Sequence, residues 1–299
     1  MKYFFSLQSM NKSVISKEIK DITLETVLQE WSLLKKITPE ELSNLNGRSR
    51  LGCNLIDYYF FKHRLETIGN KGINFYDFLE QIEYYKTKKY IQTLLTYCEK
   101  NNRYIDCDIK KYYYCYGLCF GRINAFKITN ALQIYHKFKP TTILDPFCGF
   151  GGRLVAAMLQ NINYIGIDLN TDLKPEYDKL REDLNKLSNS PVEILFQDAL
   201  TVDYSKYKYD MVFTSPPYEN IEIYKHMKPK SIEEWSQFYI ELFQKLWTGL
   251  LTGGIYAINI NESIYRRILE PLFGKAFESI LLKKSSKNGY KEFIYIWRK

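Results

Sequence analysis

The sequence predicts an α/β protein: a doubly wound, mainly parallel sheet of seven strands ending in an antiparallel hairpin, preceded by a mostly helical region. Three observations predict it. From about residue 138 onward, short apolar runs alternate with helical patterns. Three of those runs end in an aspartate. The last two runs lie too close together for a crossover helix, so they should pair as a hairpin.

Ahead of residue 138 the patterns are helical. Residues 24–36 carry apolar side chains at helical spacing, and Thr38-Pro39-Glu40-Glu41 reads as a helix start, with Thr as cap, Pro first and Glu third. Further helices are expected over 55–65, 75–98 and 125–138, with breaks at 69–72 and 101–103. Strands are expected at 142–145, 164–168, 192–196, 211–214, 255–260, 279–283 and 293–297. Helices at 153–160, 175–186, 232–249 and 263–276 fall between most of them.

Composition is that of a globular chain of 299 residues, 45% hydrophobic and 25% charged. The formal net charge is +8, and it is unevenly placed: residues 1–137 hold 21 Lys and Arg against 14 Asp and Glu, residues 138–299 hold 21 against 20. A basic first half suits a phosphate-contacting surface, although a solvated lysine-rich face would have the same composition. Six cysteines without framework spacing, no paired CxxC and three scattered histidines predict no metal site. The first residues show no cleavage site and no apolar run approaches the ~20 residues of a membrane span, so an intracellular protein (cytoplasmic, or in the nucleoid or nucleus) with reduced thiols and no membrane contact is expected. The aromatic segment 110–116 mixes tyrosine and lysine as a nucleic-acid surface would, but reads first as half-buried packing on a helix.

Two constellations carry the chemistry. In Asp145-Pro146-Phe147-Cys148-Gly149-Phe150-Gly151-Gly152-Arg153 a buried strand ends in Asp, a glycine-rich turn follows and a helix begins, which lets backbone N–H groups approach a ligand. Rossmann dehydrogenases use similar turns. Asp168, 23 residues on, ends the second strand where a nucleoside-binding fold places a carboxylate for ribose, and Asp198 ends the third. The second constellation, Ser215-Pro216-Pro217-Tyr218, ends the fourth strand.

Together these motifs resemble the DNA amino-methyltransferases, the cytosine-N4 and adenine-N6 enzymes among the class I S-adenosylmethionine-dependent methyltransferases, over about residues 120–299. Seven strands ending in a hairpin are that class's sheet. The resemblance implies S-adenosylmethionine as cofactor and DNA as substrate, with an exocyclic amine methylated and cytosine-N4 favoured by the serine. RNA or a protein glutamine as acceptor, or a silent scaffold, are the alternatives. It also implies roles. Asp145, Phe147, Gly149, Gly151 and Gly152 would face the methionine part, Asp168 the ribose and Asp198 the adenine, with Phe126 and Lys127 packed beneath the methionine. Ser215 and the Pro216 carbonyl would accept hydrogen bonds from both amino hydrogens, drawing electron density back onto nitrogen and fixing its attack geometry. Pro217 would stiffen the loop and Tyr218 offer a face to an extruded base. The two motifs stand only about 70 residues apart, so residues 1–120 are expected to form the target-recognition region and 121–299 the cofactor-binding domain.

Overall fold

The computed structural model describes residues 11–45, 49–284 and 291–299. Helices α1 (Lys12–Ile19), α2 (Leu24–Lys36), α3 (Pro39–Ser43), α4 (Cys53–Glu66), α5 (Phe75–Glu80), α6 (Ile82–Lys86), α7 (Lys89–Lys100), α8 (Asp108–Cys119) and α9 (Ile128–Phe138) come first. The expected cap at Thr38 forms as a reciprocal box: Glu41 N–H donates to Thr38 Oγ1 (3.2 Å) and Thr38 N–H to Glu41 Oε2 (2.8 Å). The single helix expected over 75–98 is instead three, broken at Gln81 and Lys88, whose backbones leave the helical region without any Gly or Pro to announce it. The aromatic stretch 110–116 lies on α8, with Cys115 and Tyr116 buried in the helical core.

The sheet follows: β1 (Thr142–Asp145), α10 (Gly152–Gln160), β2 (Asn163–Asp168), α11 (Lys174–Leu184), β3 (Val192–Phe196), β4 (Tyr209–Thr214), α12 (Ile232–Gly249), β5 (Leu250–Asn261), β6 (Glu278–Lys284) and β7 (Lys291–Arg298). Strand order is β3-β2-β1-β4-β5-β7-β6. The first five strands pair in parallel; β7 runs antiparallel between β5 and β6. This is the class I methyltransferase sheet that the strand pattern predicts. The helix expected over 263–276 is interrupted by a π-helical turn, Tyr265–Leu269.

Alternation along the strands separates two cores. Ile143, Tyr164, Phe213 and Ala257 face α9, α10 and α11, and the same cluster takes in Val27, Leu34 and Phe60 of α2 and α4. Leu144, Ile167, Val212 and Ile258 face α12 through Tyr239, Leu242 and Phe243. Parallel strands covered on both faces read as continuous apolar runs, which is why they are legible in sequence.

Candidate active site

Strand order reverses between β1 and β4, so their carboxyl ends diverge and leave a crevice where open α/β sheets bind ligands. A cavity of about 1340 Å³ opens there. That exceeds the ~300–1,000 Å³ typical of a single small-molecule site and leaves room for a cofactor and an acceptor together. The glycine turn and the ends of β2 and β3 form one wall, the Ser215–Tyr218 loop another, and the 120–127 segment with the turn at Thr67–Asn70 a third.

Asp145 departs from expectation, because it does not line the cavity. It is fully buried, and its carboxylate is occupied by protein donors: Arg153 Nε at 2.6 Å, Tyr164 Oη at 2.5 Å, Thr214 Oγ1 at 2.7 Å and Phe147 N–H at 3.3 Å. A buried carboxylate needs such pairing, and here it ties β1 to α10, β2 and β4. The Phe147 N–H and Arg153 tie it to the turn that follows β1. Arg153 also donates to the Phe147 carbonyl (2.5 Å) and lies 5.0 Å over the Phe126 ring.

The turn is held from both sides. Gly149 adopts a positive φ of 54°; its N–H donates to Asp168 Oδ2 (2.8 Å), and its carbonyl accepts from Tyr177 Oη (2.8 Å). At Gly152 the need is space, since a Cβ would sit 2.0 Å from the Phe126 carbonyl oxygen. Gly151 also lies off the cavity lining and packs against Phe60, so it too departs from a ligand-facing role. Phe147, Gly149, Gly152, Asp168, Asp198, Phe126 and Lys127 all line the cavity. Lys127 Nζ donates to the Ser49 carbonyl (3.2 Å), and the Phe126 ring meets Phe213 edge-on.

The carboxylates differ in setting. Asp168 accepts backbone N–H bonds from Gly149 and Asn170 (2.8 Å each), yet burial pushes its carboxyl up to about 6. Asp198 is exposed, with Oδ1 accepting the Leu200 N–H (2.9 Å).

On the facing wall the Ser215–Tyr218 loop is organised by residues that sequence reasoning missed. Ser215 Oγ donates to Asn259 Oδ1 (3.0 Å). Tyr218 Oη lies 2.8 Å from Glu292 Oε1 and 3.3 Å from Ser215 Oγ. The Pro217 carbonyl accepts from Tyr239 Oη (2.6 Å). Pro216 lines the cavity, and among the described residues no donor meets its carbonyl. Asn259 is nearly inaccessible inside an apolar strand, and a polar residue in such a run was the one signal available for it. Glu292 had none.

Beyond Tyr218 the chain crosses to the amino-terminal region, where Ile223 and Ile68 exchange two backbone hydrogen bonds (2.9 and 3.2 Å). Tyr224 packs near Phe150 and donates to Glu222. Among the described residues no group of three or more His, Cys, Asp or Glu side chains is placed to hold a metal ion, and no helix is long and apolar enough to cross a membrane.

Sheet order and the cavity at its switch point thus define a class I methyltransferase fold. No protein-family model matches the chain. It is 34% identical over 76 residues, a quarter of its length, to the tRNA (guanine(10)-N2)-dimethyltransferase of Methanothermobacter thermautotrophicus, and the match spans 21% of that protein. Similar solved structures include TrmN from Thermus thermophilus (16% identity, 57% of this chain and 48% of that one, TM-score 0.44). An rRNA methylase from Streptococcus thermophilus is another (14% identity, 59% and 98%, TM-score 0.41).

Proposed function

We propose that the chain transfers a methyl group from S-adenosylmethionine to an exocyclic amino group of a base in RNA. The observation that carries the reading is the pair of acceptors at the end of β4. Asn259 takes the Ser215 proton, which turns the Ser215 lone pairs outward, and the neighbouring Pro216 carbonyl has no protein donor among the described residues. Two such acceptors suit an amine carrying two hydrogens and hold its nitrogen in line for attack.

The cavity's polar groups fit the cofactor: Asp168 for ribose hydroxyls, Asp198 for an amino group, and the Phe147–Gly152 turn with Phe126 and Lys127 around the remainder. When bound, the cofactor supplies an activated methyl group. The methylated nitrogen must then shed a proton. Tyr218 Oη, beside Ser215 Oγ, can accept it while passing its own proton to the Glu292 carboxylate 2.8 Å away.

The sequence favoured DNA, with cytosine-N4 first. RNA is preferred here because the curated relative is named for a guanine-N2 amine in tRNA, which has the same chemistry in another nucleic acid. The resemblance of Ser215–Tyr218 to the DNA enzymes makes DNA the second reading. The basic helical region 1–120 is proposed to recognise the target, since its turn at Thr67–Asn70 already forms a cavity wall. Transfer of labelled methyl to RNA, DNA and protein, followed by nucleoside analysis, tests the proposal. An N-methylated amino base in RNA supports it, whereas label confined to DNA or protein overturns it.

A pH dependence follows from Asp168. Ionised, it accepts from ribose hydroxyls; protonated, it loses an acceptor. Cofactor affinity should therefore be constant above about pH 6 and fall as pH drops through that value. Folding stability should respond with the opposite sign, because the folded-state value lies above the ordinary 3.8: this contribution is complete below that range and lost as pH rises through about 6. Calorimetric titration from pH 5 to 8 on wild type and Asp168→Asn checks the first effect, and an unchanged wild-type affinity across that range would count against the ribose role.

A further inference from the structure

The cavity opens at one end onto a surface that the transfer chemistry does not use. Arg64 pins the backbone there, donating to the Ile123 carbonyl from Nε (3.0 Å) and Nη2 (2.6 Å). The neighbouring Arg122 lines the cavity mouth, and its guanidinium lies 4.4 Å over the Tyr113 ring. Gly117 makes the room for it, since a Cβ there would come within 2.2 Å of Arg122 Nε. Phe120, also on the cavity lining, continues outward as a line of rings: Tyr85 at 5.4 Å, Tyr90 at 6.5 Å, and Tyr84 a further 5.3 Å beyond Tyr85. Lys88 Nζ stands 3.9 Å over Tyr84.

Phe120 and Tyr85 also pack on the helical core, whereas the two outer rings stand clear of it. Tyr84 is 55% exposed and Tyr90 48%. Among the described residues no carboxylate lies within 4.0 Å of Lys88, Lys89 or Arg122, whereas Lys86 and Lys111 are each paired with one. Residues 84–122 hold nine of the 26 tyrosines, and eight Lys and Arg against three Asp and Glu. Uncompensated cations interleaved with exposed flat rings match a strand that carries phosphates on one side and unpaired bases on the other. A surface for an acidic peptide would need the cations but not the rings.

We propose that this strip binds a single-stranded stretch of the RNA that carries the target base. Phosphates lie on Lys88, Lys89 and Arg122, bases stack on Tyr84 and Tyr90, and the strand passes Phe120 into the cavity. The proposal rests on the RNA reading above.

The probe is fluorescein-labelled oligouridine of about 12 nucleotides, within the usual reach of one such groove. Uracil has no exocyclic amine, so its binding reports the strip and not the acceptor pair. Wild-type full chain should bind it. Tyr84→Ala/Lys88→Ala should bind about tenfold more weakly or worse, with a shallower salt dependence, and Tyr84→Phe/Lys88→Arg should retain affinity. In transfer to a mixed-sequence RNA the alanine pair should raise KM at unchanged kcat. Equal affinity in the alanine pair, or wild-type binding to duplex DNA but not to the oligomer, overturns the strip. RNA methylation with an unaltered KM sinks the strip and leaves the function standing; oligouridine binding lost in the alanine pair, with no RNA ever methylated, does the reverse.

Discussion

Replacing Ser215 by alanine should cut methyl transfer by about 10²–10³-fold while leaving cofactor affinity and melting temperature unchanged. The serine proton is committed to Asn259, so the side chain acts as an acceptor, and alanine removes that acceptor without disturbing the loop. Tyr218 still reaches Asn259 Oδ1 (3.0 Å) and Tyr239 still holds the Pro217 carbonyl. Because the contact strengthens as charge develops on the amine, the loss should fall on kcat. Glu292→Gln keeps a partner for Tyr218 but cannot take a proton, and a loss of about tenfold to a hundredfold is expected. Single-turnover transfer on both variants checks this. A Ser215→Ala rate within threefold of wild type would sink the acceptor pair.

The second large effect is on folding. Asp145→Ala should destabilise the chain by about 3–5 kcal/mol, because it strands a buried guanidinium along with the Tyr164 and Thr214 hydroxyls. In a chain of this size that corresponds to a melting temperature lower by roughly 5–8 °C. Arg153→Met should cost less, since the carboxylate keeps Tyr164, Thr214 and the Phe147 N–H as donors. Chemical denaturation of both variants tests the order. If Asp145→Ala stayed within about 1 kcal/mol of wild type, the buried pair would not be the organiser described above.

How much was legible in advance follows from where the information lies. The parallel strands are local, short apolar runs, three of them ending in or just before Asp145, Asp168 and Asp198, so the sheet could be read residue by residue. Ser215–Tyr218 was legible for the same reason. The distinction between Asp145 as a structural anion and Asp168 as a cavity-lining one was not, because it depends on Thr214, 69 residues away. Glu292, 74 residues beyond Tyr218, reaches the site only because β7 lies beside β5. Breaks at Gln81 and Lys88 left no local mark either. There tertiary packing of Phe78, Tyr85 and Phe120 decides the backbone, and propensity does not.

The Ile68–Ile223 bridge has a consequence for how such a protein can change over time. It consists of two main-chain hydrogen bonds, and every residue except proline supplies the N–H that each requires. Side chains at these two positions can therefore change without altering the register between the amino-terminal helical region and the loop that follows Ser215. Sequence change at Ile68 and Ile223 thus leaves the main-chain link between the two segments in place. A library randomised at Ile68 and Ile223 should keep transfer activity at nearly every member, with proline at either position the expected exception.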